Sequence, residues 1–437
     1  MAQQQTSGTH LRAKIVALVS LTVMATLLPA VPAAQAQTYQ VLYNFTGGSD
    51  GANPYDALTM DAAGNLYGTA SAGGYTGGDC ASDLGCGTVF KLSHHGAGWI
   101  FTPLYAFRGD SVLPYEAANP ITGVTFGPDG SLYGTTEAGG GGSCSYYHDG
   151  CGAVFRLGPP PTVCKAVLCP WKESVIYSVA SNNGEEASGN VIFDAAGNLY
   201  STVEVGGQND GGYVFELTPS NGGWTEQTLY SFNPLSGDCG EPAAGMVFDN
   251  SSNLYGTTFA GGPNNYGCVF QLVPSGGSGW SENILLNFTG YNGDTPYAGL
   301  MIDSHGNLYG TTFSDGPNGG GTVFELSPSN GGWAYSLLNA FGKGGNGADS
   351  SAPVSMDASG NLYGTTRANG YLGTGDGLVY KLTPSNGTWT ETVLHYFEGS
   401  DGQFPDGGVL IDANGNLYGT TSYGGAYGNG VVWEITP

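Results

Sequence analysis

Seven copies of one phrase, Asp-x-x-Gly-Asn-Leu-Tyr with small variations, run through this chain of 437 residues. They occupy 61–67, 127–133, 194–200, 249–255, 303–309, 357–363 and 412–418. The tyrosines that end them lie 66, 67, 55, 54, 54 and 55 residues apart. A fixed period near 54 is the mark of a repeat architecture, in which each unit cannot bury its apolar face alone and must stack on its neighbours.

Three further elements recur in register. A short apolar run precedes the phrase, as in Gly299–Ile302. A Gly-x-Val-aromatic-x-Leu/Ile run follows it, as in Gly321–Leu326. A run that opens on Trp and ends on an aromatic comes last, as in Trp333–Phe341. All are rich in Val, Leu, Tyr, Phe and Thr and bounded by Gly, Pro, Asn or Ser, the pattern of strands. Four strands per unit make the blade of a β-propeller. The fold expected is therefore all-β, a seven-bladed propeller with four antiparallel strands, a to d, in each blade. The phrase itself sits between strands a and b as a tight turn. Its Gly supplies positive φ and its Asp accepts backbone N–H groups; a metal or catalytic role for the aspartates is the weaker alternative.

The ends complement each other. The last unit stops at Ile435-Thr-Pro437, directly after strand c, while Tyr39–Phe45 matches strand d and has no strands a to c before it. Tyr39–Phe45 is expected to complete blade 7 and close the ring. An open solenoid would carry atypical caps instead.

Residues 1–36 read as a secretory signal peptide, with basic Arg12 and Lys14, an apolar run over Ile15–Leu28 and an A-x-A site ending at Ala36. That leaves residues 37–437 as one propeller domain, secreted or periplasmic and monomeric. No later segment is apolar and long enough to span a bilayer as a helix, so no membrane insertion is expected. The full chain has 10 basic and 35 acidic residues, a net charge of −25. Such a surface repels nucleic acid and anionic lipid. The eight cysteines pair by position in the repeat: Cys80 with Cys86, Cys144 with Cys151, Cys164 with Cys169, and Cys239 with Cys268. A zinc site would be expected to show Cys-x-x-Cys spacing, which is absent.

Strands alternate in direction, so the d–a connections and b–c loops share one face. That face carries the variable loops, where function usually resides. Each d–a connection holds an acid: Asp50, Asp110, Glu185, Asp238, Asp294, Asp349 and Asp401. These could ring the channel mouth and hold a structural Ca²⁺, or they could cap turns. Tyrosines dot the same face, among them Tyr146, Tyr147, Tyr266 and Tyr297. Exposed Tyr beside Asn and Asp suits a sugar, since the ring offers an apolar body with a polar tip. No cofactor motif, P-loop, serine-nucleophile elbow or HExxH is present.

The combined string Asn-Leu-Tyr-Gly-Thr-Thr, Gly-Thr-Val-Phe-Glu-Leu-x-Pro and Leu-Tyr-x-Phe before Gly-x-Asp-Gly resembles the GloVer tandem repeat of exported bacterial "choice-of-anchor" proteins, over Tyr39 to Pro437. The resemblance implies an exported repeat protein and no catalytic residues. No sorting tail follows Pro437, so a covalent surface anchor is not expected. The Asp-x-x-Gly-Asn-Leu-Tyr turn alone is also similar to that of NHL and lyase-type propellers. The function expected is binding or scaffolding without catalysis, with a glycan or an extracellular protein as partner. The alternative is a propeller enzyme, a lyase or hydrolase, acting on a polysaccharide or lactone at the channel mouth.

Overall fold

The computed structural model describes residues 37–81, 84–96, 98–109, 115–141, 144, 150–161, 170–180, 184–277, 279–369 and 375–437. Residues 1–36, read from sequence as a signal peptide, and Asp110, Tyr146, Tyr147, Cys164 and Cys169 lie outside these residues. Seven four-stranded antiparallel sheets follow one another along the chain and form a seven-bladed β-propeller. In blade 5 the strands are Met301–Ile302, Leu308–Thr312, Thr322–Ser329 and Gly332–Ala340. Among the described residues, no helix is long and apolar enough to cross a membrane.

Blade 7 is built from both ends of the chain. Thr38–Asn44 pairs antiparallel with Val431–Thr436, and the sheet continues inward through Leu417–Thr421 to Leu410–Ile411. Every c–d pair carries the same β-bulge, after Val89, Val154, Val214, Val269, Val323 and Val379, and between Val41 and Tyr43 in blade 7. The N-terminal strand thus reproduces the local twist of every other strand d.

The phrase between strands a and b is a closed hydrogen-bonding unit. Asp357 Oδ1 accepts the N–H groups of Ser359 and Asn361, while Oδ2 accepts Asn361 Nδ2 at 2.7 Å and Tyr363 Oη at 3.0 Å. These donors hold the Asp357 carboxyl below its ordinary range, although partial burial works against them. Where blade 2 lacks the Asp, Asp129 takes over from two positions along, binding Ser131, Tyr133 and Arg156. In blade 4 Ser252 fills the glycine position at φ 64°.

The Gly-Thr pair in strand b has its own cause. A Cβ on Gly68 would sit 2.7 Å from the Phe90 ring of strand c, which occupies that space. The Thr69 hydroxyl donates to the Thr122 carbonyl of the next blade at 2.6 Å. Equivalent bonds run from Thr135 to Gly189, Thr202 to Ala244, Thr257 to Ala298, Thr311 to Ala352, Thr365 to Gly407 and, across the closure, Thr420 to Asp56. The ring is stitched at seven equivalent points.

The apolar core lies between blades. Leu66, Phe90 and Leu92 of blade 1 pack with Phe45, Tyr418 and Val432 of blade 7. At the outer rim two kinds of seam alternate irregularly. Phe101 stacks on Tyr43 at 4.0 Å, and Tyr39 stacks on His395 at 3.7 Å. Elsewhere the same position holds an acid. Glu282 accepts Tyr230 Oη, and Glu391 accepts Asn339 Nδ2. One oxygen of each of Glu173, Glu282 and Glu391 is buried without a partner. Burial raises all three carboxyls, Glu173 to about 7 and Glu282 to about 8.

Candidate functional site

The face bearing the d–a connections is a stiff collar. In each blade the connection entering strand a pairs with the chain leaving strand b: Ala52 with Ala72, Ala117–Ala118 with Ala138–Gly139, Gly184–Glu185 with Val205–Gly206, Cys239–Gly240 with Ala260–Gly261, Asp294 with Ser314, Ala348 with Ala368, and Gln403 with Tyr423. The residue leading into strand a then adopts a left-handed backbone in all seven blades: Asn53, Asn119, Glu186, Glu241, Thr295, Asp349 and Phe404, with φ between 55° and 68°. Its carbonyl accepts the N–H of the residue just after strand b: Ser71, Glu137, Glu204, Phe259, Phe313, Arg367 and Ser422. Two rings of seven positions therefore define the channel mouth.

Those rings are not uniform. In blades 1 and 2 the first ring carries Asn, the non-glycine residue that best tolerates this conformation. Asn53 Nδ2 donates to the Ser422 carbonyl at 2.9 Å and Asn119 Nδ2 to the Ser71 carbonyl at 3.2 Å, tying each blade to the one before. In blades 3 and 4 Glu186 and Glu241 stand there instead, with no amide to donate and a backbone that disfavours them. Strain retained at such points is a pointer to function.

The mouth encloses a cavity of about 810 Å³. One wall carries Glu137, Glu186 and Glu204, with Glu241 in the same ring. Burial, reinforced by repulsion from Glu186, pushes the Glu137 carboxyl to about 7; burial with repulsion from Glu186, Glu241 and Glu137 pushes Glu204 to about 8. Glu186 and Glu241 are raised as well, again by burial first. The same lining includes Tyr55, Tyr297, Phe313 and Tyr423. Tyr297 packs between Phe259 and Phe313, at 5.0 and 5.6 Å between ring centroids, and keeps 40% of its surface exposed. Arg367 lies 5.0 Å over Phe404 and pairs with the buried Asp406 at 3.7 Å; Asp406 also accepts Ser422 Oγ at 2.6 Å. Asp56 accepts the Gly123 N–H and Asn190 Nδ2, spanning three blades at the neck of the channel.

The acids expected to form a ring divide among three positions. Asp50, Asp238 and Asp401 cap the loop after strand d. Asp50 accepts Thr46 N–H and Tyr43 Oη, Asp238 accepts Asn233 N–H and Tyr230 Oη, and Asp401 accepts Glu398 N–H and bonds His395. In blades 5 and 6 the capping residue is Asn292 or Asn346. Glu185 and Asp294 lie in the collar pairs, and Asp349 in the left-handed ring. Tyr266 is at the exposed rim, and Tyr297 is in the cavity wall. Three potential metal-ligand groups come within 4.8 Å of one another among the described residues at Asp238, Cys239 and Glu282, but Cys239 is bonded to Cys268. Cys80–Cys86 and Cys144–Cys151 are bonded as well.

Glu137, Glu186, Glu204 and Asp56 were not anticipated. Their signal is nonetheless in the repeat: within the near-constant block ending Leu-Tyr-Gly-Thr-Thr, the next residue changes between Ser, Glu, Phe and Arg. Variation at one point of an otherwise uniform unit marks a position that the fold does not dictate.

Comparison with solved structures finds two described as putative 6-phosphogluconolactonases. That from Bacteroides uniformis is 12% identical, with a TM-score of 0.46, covering 80% of this chain and 86% of that one. That from Bacteroides fragilis is 13% identical, with a TM-score of 0.47, covering 83% and 88%. A comparison with curated proteins finds no match. The Gloeobacter/Verrucomicrobia repeat family matches over residues 147–342 and 314–437, most of the chain. The protein belongs to the Gloeobacter/Verrucomicrobia repeat family.

Proposed function

We propose that this is an exported binding protein that takes a saccharide at the channel mouth. The observation that carries this is the cavity itself. Its lining presents exposed tyrosine rings for the apolar face of a sugar, together with carboxyl groups able to accept hydroxyl hydrogens. The collar is tied in every blade, so the site is preformed and little ordering opposes binding. Three disulfides are consistent with an oxidising compartment, which accords with export.

A glycan array probed with the protein, followed by calorimetry on the best ligand, tests this. Tyr297→Ala should weaken binding by about tenfold, the loss of one stacking ring. Unchanged affinity in this variant would remove the cavity as the site. A catalytic alternative has one observation in its favour: Glu137 and Glu204 are carboxyls poised near neutrality, as acid–base chemistry requires. Release of new reducing ends from a bound oligosaccharide, abolished by Glu204→Gln, would establish it.

A further inference from the structure

We propose that the acidic wall makes the cavity selective for saccharides bearing free, protonated amino groups over their neutral or N-acylated counterparts. This rests on the saccharide reading above and narrows it.

Four glutamates, Glu137, Glu186, Glu204 and Glu241, fall in consecutive blades 2 to 4, and each of the first three lines the cavity. Two of them replace the asparagine that ties neighbouring blades in blades 1 and 2, and both adopt a left-handed backbone. Stability of the collar therefore favours another residue there, and the acids are kept for what they face. The one basic group lining the cavity, Arg367, is engaged with Asp406 and lies over Phe404, so the glutamate wall has no resident counter-charge within the lining.

A second observation points into the same wall. Ser188 is 5% exposed, lines the cavity, and its hydroxyl has no hydrogen-bond partner. It lies beside Glu204 and favours the ionised form of that carboxyl. A ligand donor seated between the two would satisfy both. The carboxylates do not close to within 4.8 Å of one another in any group of three, as direct coordination of a bare divalent ion would favour. A cavity of about 810 Å³ with aromatic rings in its lining has room for a sugar ring whose ammonium reaches several acids. An ammonium offers three donors and a charge, and seating it favours the ionised form of carboxyls that burial otherwise holds protonated at mildly acidic pH.

Calorimetry with glucosamine oligomers of one length, fully deacetylated or fully N-acetylated, at pH 6.5 in low and high salt, decides this. The deacetylated oligomer should bind at least ~10-fold tighter at low salt, with the ratio shrinking as salt rises. In Glu186→Gln/Glu204→Gln the two oligomers should bind alike, while Tyr297→Ala should weaken both. Equal binding of the two oligomers to the unmodified protein, or a preference that survives in the double variant, overturns the inference and leaves saccharide binding standing. If neither oligomer binds and the glycan array is also silent, both readings fall. Stoichiometric Ca²⁺ binding lost in the double variant would reassign the wall to a metal.

Discussion

The two faces of the disc use carboxylates in opposite ways. On the turn face, Asp61, Asp194, Asp249, Asp303, Asp357 and Asp412 occupy the same position in six blades, and each accepts the same set of turn donors and its own Tyr. Most are held below the ordinary carboxylate range. At the channel mouth, Glu137, Glu186, Glu204 and Glu241 occupy positions that other blades give to Asn, Asp, Ser, Thr, Phe or Arg, and all four are held above it. Sameness across blades goes with hydrogen bonds that stabilise the charge. Difference across blades goes with charge that the fold resists. The first set builds the protein, and the second faces what it binds.

The widest gap between the faces concerns the frame that both depend on. Deleting 38–44 removes the outer strand of blade 7, exposes the edge of Val431–Thr436 and uncovers the Phe397–Trp433 core. The truncated protein is expected to aggregate or melt far lower, as read by size-exclusion chromatography and thermal denaturation; an unchanged monomer and melt would break the closure. Next comes a turn-face acid. Asp357→Ala leaves two N–H groups, an amide and a tyrosine hydroxyl without their acceptor, at a cost of about 2–3 kcal/mol at pH 7 in urea denaturation. Because the folded-state carboxyl is depressed, that contribution is present above the unfolded value and lost as pH falls through the folded one. The cost should therefore shrink as the pH falls below the ordinary carboxylate range.

Much of this architecture was legible because it is local or pairwise. A turn closes within five residues, so Asp-x-x-Gly-Asn shows in the string. The orphan strand at Tyr39 and the missing strand at Ile435 balance on inspection, and the disulfides Cys80–Cys86, Cys144–Cys151 and Cys239–Cys268 join residues at matching places in their repeats. The site was harder because it is assembled from single residues contributed by separate blades. Glu137 and Glu204 share no motif with Tyr297, and only the closed ring puts them around one cavity. The acids Asp50, Asp238 and Asp401 looked alike in sequence to Asp294 and Asp349. Which of them caps a loop depends on where the neighbouring strand d ends, and in blades 5 and 6 asparagine does that work.

If the mouth glutamates are kept against the interest of the fold, the dependence of melting temperature on pH will show it. Glu137 and Glu204 have folded-state values of about 7 and about 8, above their ordinary 4.5. Their favourable contribution is complete below about 4.5 and is lost as pH rises through 7 to 8. Seam glutamates Glu173 and Glu282 add a loss of the same sign, so the informative quantity is the difference between the protein and its Glu137→Gln/Glu204→Gln variant. The account predicts that the unmodified protein melts lower at pH 9 than at pH 5, that the variant loses less over that range, and that the variant is the more stable of the two at pH 9, by about 1–2 kcal/mol after allowance for solvent at the mouth. Parallel profiles, or a variant less stable at pH 9, would contradict it.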